Sequence, residues 1–236
     1  MIRNNRTLLL LTLASLAGML VAAYMIFIYA PQDQVQGPVQ RIFYLHVASA
    51  VAAYACFAVT VGGCVHYLVW GSLKADRIAR AGAQVGLVFT INCIVMGVIW
   101  AKPVWNWDPT ETWDARFTST VVLGVVYAGY LLVRRLASPG RPAMRLAAVV
   151  GIVGFVDVPV DYFSVQWWRT LHPGPVIATG QLPPAMLAAF MVTMLATVFL
   201  AMVLVAMRYR IELELERKQL RSAHILEIAP GMGTPQ

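Results

Sequence analysis

A chain of 236 residues that is 59% hydrophobic, 12% charged and of mean hydropathy +0.68 lies outside the range of soluble globular domains and reads as an integral membrane protein. Its net charge of +7 would suit nucleic acid, but the basic residues fall in short clusters between apolar runs, where membrane topology accounts for them. Cys56, Cys64 and Cys93 stand in apolar stretches with no CxxC or CxxCH spacing, which argues against thiol redox chemistry, structural zinc and covalent cofactor attachment.

A bilayer core about 30 Å thick takes about 20 apolar residues per helix. Every backbone polar group inside it must be satisfied internally, and the alternating pattern of a membrane β-barrel is absent, so the chain is expected to be all-α. The apolar run from Thr7 to Ala30 is too long for a signal-peptide core and is read as a retained first helix ended by Pro31. After the polar P-Q-D-Q-V-Q-G-P, a second helix is expected from Arg41 to Trp70, then a short basic loop and a third helix from Ile78 to Ala101. Gly82, Gly86 and Gly97 on the third helix permit close approach of neighbours, and Gln84 and Asn92 are read as interhelical hydrogen-bonding groups.

The segment from Trp100 to Ser119 follows, reading W-A-K-P-V-W-N-W-D-P-T-E-T-W-D-A-R-F-T-S. A fourth helix is expected over Phe117–Val133 and a fifth over Ala143–Val160. A second polar segment over 161–183 leads to a sixth helix over Ala185–Met207. The charged stretch beyond it is expected to continue as a helix out of the membrane, and I-A-P-G-M-G-T-P-Q to be disordered. The predicted architecture is thus a six-helix transmembrane bundle over residues 1–210 with outward loops at 101–116 and 161–183, and a cytoplasmic charged tail over 211–236.

Six crossings put both termini on one side. Arg3, Arg6, Lys74, Arg77, Arg80, Arg134, Arg135, Arg141, Arg145, Arg208, Arg210, Arg217, Lys218 and Arg221 fall on that side, against Arg41, Lys102, Arg116 and Arg169 on the other. The positive-inside rule then makes the termini cytoplasmic and turns both polar segments outward.

The outward face gathers residues that point to a ligand. Trp100, Trp105, Trp107, Trp113, Trp167 and Trp168 lie there, six of the seven tryptophans. Tryptophan suits either the membrane–water boundary or a flat aromatic ligand, and both readings are open. His46 and His172 flank the tryptophan-rich segment in sequence and lie at the same predicted depth. Histidine is a common ligand of haem iron, and a porphyrin calls for aromatic walls, axial nitrogens and cations for its propionates. The four outward cations are candidates for the last role, with Asp108 and Asp114 also in the candidate site. The alternative for Arg116 is a pairing with Asp108, Glu111 or Asp114 that folds the loop.

The remaining candidates read as structural. His66 lies twenty residues after His46, roughly 30 Å along a helix, and His224 is in the tail. Asp157 and Asp161 are four apart, but Pro159 between them is expected to break the helix, leaving solvated or helix-end carboxylates rather than a metal site. No nucleophile–base pair, P-loop or zinc hydrolase motif is present, so no enzyme activity is assigned. A membrane electron carrier would need histidine pairs near both faces; a scaffold that uses the tryptophans only for docking is the other alternative.

Three stretches resemble one family: R-I-F-Y-L-H-V around His46, W-A-K-P-V-W with W-D-A-R-F-T-S, and Y-F-S-V-Q-W-W-R-T-L-H-P-G around His172. The chain resembles the haem-handling membrane proteins of cytochrome c assembly that carry a tryptophan-rich "WWD" signature. The resemblance implies that His46 and His172 are axial ligands to a haem b on the periplasmic face of the bacterial inner membrane, with the tryptophans as its platform. It further implies a transfer protein that presents haem to a membrane-anchored haem chaperone, working with a small single-helix membrane partner and ABC-type transporter subunits. The piece W-D-P-T-E-T-W is similar to the haem-delivery subunits of cytochrome c synthase systems, which gives an alternative: delivery of haem directly to apocytochrome c.

Overall fold

The computed structural model describes residues 5–109, 113–137, 140–168, 170, 172, 174, 180 and 182–228, the side chains of 219–228 excepted. The described residues are nearly all helical. They form α1 (Asn5–Tyr24, continued by a π-turn over Met25–Tyr29), a 3-10 turn (Pro38–Arg41), α2 (Ile42–Trp70), α3 (Leu73–Trp105), α4 (Ala115–Leu136), α5 (Arg141–Phe155), α6 (Asp157–Trp167) and α7 (Pro184–Ile228). Six segments are long and apolar enough to cross a bilayer, α5 and α6 together making one of them. The number agrees with the hydropathy reading, and the protein is a multi-pass membrane protein.

Helix ends differ from expectation in two instructive places. The third helix begins at Leu73, where the Ser72 hydroxyl accepts from the Ala75 N–H at 3.4 Å, and runs through Pro103 to Trp105. Pro103 deprives only the last turn of a hydrogen bond, and Asn106 then turns left-handed at φ +49°, so Trp105, expected in the loop, joins Trp100 on the helix. The fifth crossing is interrupted at Val156, three residues before Pro159, and resumes as α6 as far as Trp167. Pro159 therefore occupies the first turn of α6, where a missing N–H is harmless; it begins a helix instead of ending one. The last helix continues past Met207 through the charged stretch to Ile228; the rest of the stretch expected to be disordered, 229–236, lies outside the described residues.

The bundle is organised by the antiparallel pair α2–α3, joined by a tight turn in which Gly71 adopts φ +66°. Small residues set their separation. A Cβ at Gly82 would lie 2.7 Å from Thr60 Oγ1 and 2.9 Å from the Cys56 carbonyl, and one at Gly86 would lie 2.5 Å from the Phe57 ring. Phe57 in turn stacks on Tyr127 of α4, centroids 3.6 Å apart, carrying the close packing across to the next crossing. The two polar residues expected to bond between helices do so: Asn92 donates to Ser49 Oγ at 2.7 Å, and Gln84 accepts from Arg208.

At the end of the bundle that holds Asn5, charged residues tie α3, α4 and α7 together. Asp76 and Arg134 pair at 2.7 Å with side chains 6% and 10% exposed. Arg77 meets Glu216 at 2.7 Å and Arg80 meets Glu212 at 3.1 Å, while Arg210 donates to Asn5 at 2.5 Å. These contacts place the starts of α1 and α3, the end of α4 and the exit of α7 at one face.

Because the atoms facing Gly82 are largely backbone of α2, a methyl group there must push the helices apart. Gly82→Ala is expected to destabilise the protein by about 1–3 kcal/mol, the usual cost of overpacking, read as a lowered midpoint of thermal unfolding in detergent.

Candidate functional site

At the opposite face, His46 lies in the second turn of α2 and turns toward α3. Its Nδ1 lies 2.9 Å from the Cys93 carbonyl oxygen. A carbonyl only accepts, so Nδ1 carries a proton and Nε2 is left with its lone pair. In an α-helix the Cys93 carbonyl already receives the N–H of Gly97. The absent side chain of Gly97 is what lets the imidazole reach the same oxygen: a Cβ there would stand 2.9 Å from His46 Cε1.

His172 approaches from the segment between α6 and α7, its ring centroid 6.2 Å from that of His46 with the planes at 40°. One carboxylate anchors it. Asp114 Oδ1 caps α4 by accepting the Phe117 N–H at 3.0 Å. Its Oδ2 accepts the Thr170 hydroxyl, and Thr170 Oγ1 accepts the His172 backbone N–H at 3.1 Å. The start of α4 and the second histidine are thereby held by the same side chain.

Both histidines line a cavity of about 70 Å³, walled by Trp100, Trp105, Trp107, Phe117, Asp114 and Arg116. Trp100 is 3% exposed. Its indole N–H donates to Gln36 Oε1 at 3.0 Å, and its ring lies 5.8 Å from His46 and 5.0 Å from Trp105. Trp107 packs edge-on to Phe117 at 5.1 Å. The walls are chiefly aromatic and apolar, with two nitrogens, one guanidinium and one carboxylate placed among them.

Arg116 is organised by neither Asp108 nor Asp114, but by residues of α2 and α6. Its Nη1 donates to the backbone carbonyls of Asp161 and Tyr162 at 2.5 and 3.2 Å, and Nη2 to Tyr54 Oη at 3.3 Å. Its Nε lies 3.8 Å from Asp161 Oδ1. Asp161, expected to be solvated or at a helix end, is 1% exposed. It accepts from Tyr54 Oη and Ser119 Oγ at 2.5 Å each and from Thr120 Oγ1 at 2.9 Å. The reading failed because Pro159 does not end the helix, so Asp161 faces α2 and α4 rather than water.

Other candidates lie apart from the cavity. Trp113, Trp167 and Trp168 are 68%, 58% and 49% exposed, with Trp167 stacked on Phe163. Arg41 lies over the Phe27 ring at 5.9 Å. Lys102 is exposed, Asp108 is half-buried, and neither lines the cavity. Arg169 and Glu111 lie outside the described residues. His66 lies against Trp70 in a tilted contact, well along α2 from His46. Among the described residues, no cluster of three or more His, Cys, Asp or Glu side chains is arranged to hold a metal ion. Tyr54, Asp161, Ser119, Thr120 and Gln36 were not read as parts of the site. For Asp161 a signal existed, since an acid inside a membrane crossing marks a functional position by default; the hydroxyls carried none.

The fold and the site define a polytopic membrane protein with one two-histidine, tryptophan-walled cavity at the face opposite its first residues. Residues 2–224 match the family described as "Heme exporter protein C", and the chain belongs to that family. It is 34% identical over 202 residues to heme exporter protein C of Escherichia coli K12, covering 85% of this chain and 81% of the relative. It is 33% identical over 208 residues to that of Bradyrhizobium diazoefficiens, covering 84% and 75%. A putative cytochrome c biosynthesis ccmC-like mitochondrial protein of Arabidopsis thaliana is 33% identical over 163 residues, covering 68% of this chain and 60% of the relative.

Asp114→Ala removes the cap of α4 and the anchor of Thr170 together. It is expected to cost about 1–2 kcal/mol, at the upper end for a lost cap, while Asp114→Asn keeps most of the stability; thermal unfolding of the three proteins in detergent measures both.

Proposed function

We propose that the protein binds haem b at the outer, periplasmic face of the bacterial inner membrane and hands it to a membrane-anchored haem chaperone during cytochrome c maturation. The family supports haem handling in that process. The observation that carries the site is the placement of His46 and His172 across one aromatic cavity. Two imidazoles on opposite sides of one metal, each with a metal–nitrogen distance of about 2 Å, would have ring centroids roughly 6 Å apart, and these lie 6.2 Å apart. The Cys93 carbonyl supports the role of His46, because a protonated Nδ1 leaves Nε2 as the coordinating atom, and such outer hydrogen bonds commonly orient histidine ligands.

In this reading the protein makes and breaks coordination bonds and performs no catalysis. Trp100, Trp105 and Trp107 supply apolar walls for the macrocycle, and Arg116 supplies donors for a propionate. The distribution of basic residues supports the outward orientation. A small single-helix membrane partner and ABC-type transporter subunits complete the proposed assembly. The stretch W-D-P-T-E-T-W favours a second reading, direct delivery to apocytochrome c; a haem chaperone or an apocytochrome trapped on the purified protein separates the two.

The test is the absorption spectrum of the protein purified in mild detergent with haem. A Soret band with low-spin features is expected in the parent protein and is to be lost or shifted to high-spin in both His46→Ala and His172→Ala. Unchanged spectra in both variants would overturn the ligand assignment.

A further inference from the structure

Arg116 lines the cavity, but Asp161 does not; the carboxylate stands behind the guanidinium. Three of the five guanidinium N–H groups are committed to the Asp161 and Tyr162 carbonyls and to Tyr54 Oη. The direction of the side chain is thus fixed chiefly by backbone carbonyls and a phenol, while the Asp161 carboxylate approaches only to 3.8 Å, longer than a hydrogen bond. That carboxylate is itself held by Tyr54, Ser119 and Thr120, which keep it at this distance. A carboxylate that oriented Arg116 would engage its fork at hydrogen-bond distance; this one contributes charge more than geometry.

We propose that Asp161 is a built-in counter-charge that weakens the hold of Arg116 on the carboxylate groups of the ligand, so that the site captures its cargo without retaining it. The proposal rests on the haem reading above and concerns the regulation of that same site. Opposite charges a few ångströms apart in a poorly polar medium cancel much of each other's field. An incoming propionate therefore meets a cation already largely neutralised, and the histidines and aromatic walls carry most of the affinity. A transfer protein has reason to be built this way, because tight binding and rapid release compete.

Asp161→Asn keeps the shape and removes the charge. Haem and its dimethyl ester, whose propionates are blocked, are to be titrated into the detergent-purified protein, with release followed by transfer to a haem-scavenging apoprotein. The variant is expected to bind haem about tenfold tighter, the scale of a charge-pair effect at a binding site, and to release it correspondingly more slowly. Affinity for the diester is expected to change little, and the gain to vanish in an Arg116→Gln background.

Equal or weaker haem binding by Asp161→Asn, an equal change with the diester, or persistence of the gain without Arg116 would each overturn the proposal. Should Asp161→Asn not accumulate, the parent protein decides. A preference for haem over the diester below about tenfold supports a neutralised arginine, and a larger one refutes it. Failure of the haem reading shows separately, as absent haem binding or as binding indifferent to both histidine substitutions.

Discussion

The contact on which the site depends is the meeting of His46 with the backbone of α3. Two long helices pack closely enough for an imidazole on one to bond a main-chain carbonyl on the other, at 2.9 Å, only where intervening side chains are missing. Along this seam Gly63, Gly82, Gly86 and Gly97 each face atoms that a Cβ would strike at 2.5–2.9 Å. The first three let the helices close; Gly97 makes the space for the histidine itself. Without a hydrophobic effect to drive helices together in lipid, such close packing supplies much of the association, so the histidine's orientation is set by the same contact that holds the bundle.

Most polar side chains inside the crossings are paired, the buried Asp157 Oδ2 being an exception. Water is not available to them, and each must find a partner or carry a large cost. Asn92 finds Ser49, Gln84 finds Arg208, Asp76 finds Arg134, and Asp161 gathers three hydroxyls and a guanidinium. The first three lie along the seam or at the face of the first residues and do structural work. Asp161 differs in that one of its partners, Arg116, also borders the cavity. Its network therefore joins the packing of α2, α4 and α6 to whatever occupies the space between the histidines.

Hydropathy made the six crossings legible because a bilayer permits so few alternatives, and the glycines of α3 were legible as contact residues because small side chains in such helices have few other uses. The two histidines, Trp100, Trp105, Trp107, Asp114 and Arg116 line one cavity, which their common predicted depth allowed. What sequence did not carry was partner identity. Arg116 sits among three nearby acids in sequence, yet the carboxylate it meets comes from α6, more than forty positions away. Asp161 was obscured by Pro159, whose effect depends on whether it falls in the first turn of a helix or its middle, a distinction of two residues. Trp113, Trp167 and Trp168 share composition with the cavity tryptophans but remain exposed, because composition does not record which side of a helix end faces inward.

The two histidines are mounted differently, and this bears on how a cargo would move. His46 stands on a long helix, its ring tied to the backbone of a second helix and packed near Trp100. His172 stands on a connecting segment, and its described attachment runs through a chain of Thr170 and Asp114 to the first turn of α4. In the proposed function that asymmetry would be useful: the helix-borne histidine would keep the ligand in place while the loop-borne one yielded its coordination position to an acceptor. The offset pairing of Arg116 with Asp161 would, on the proposal above, act in the same direction, because a neutralised cation would add little to what a departing ligand must break.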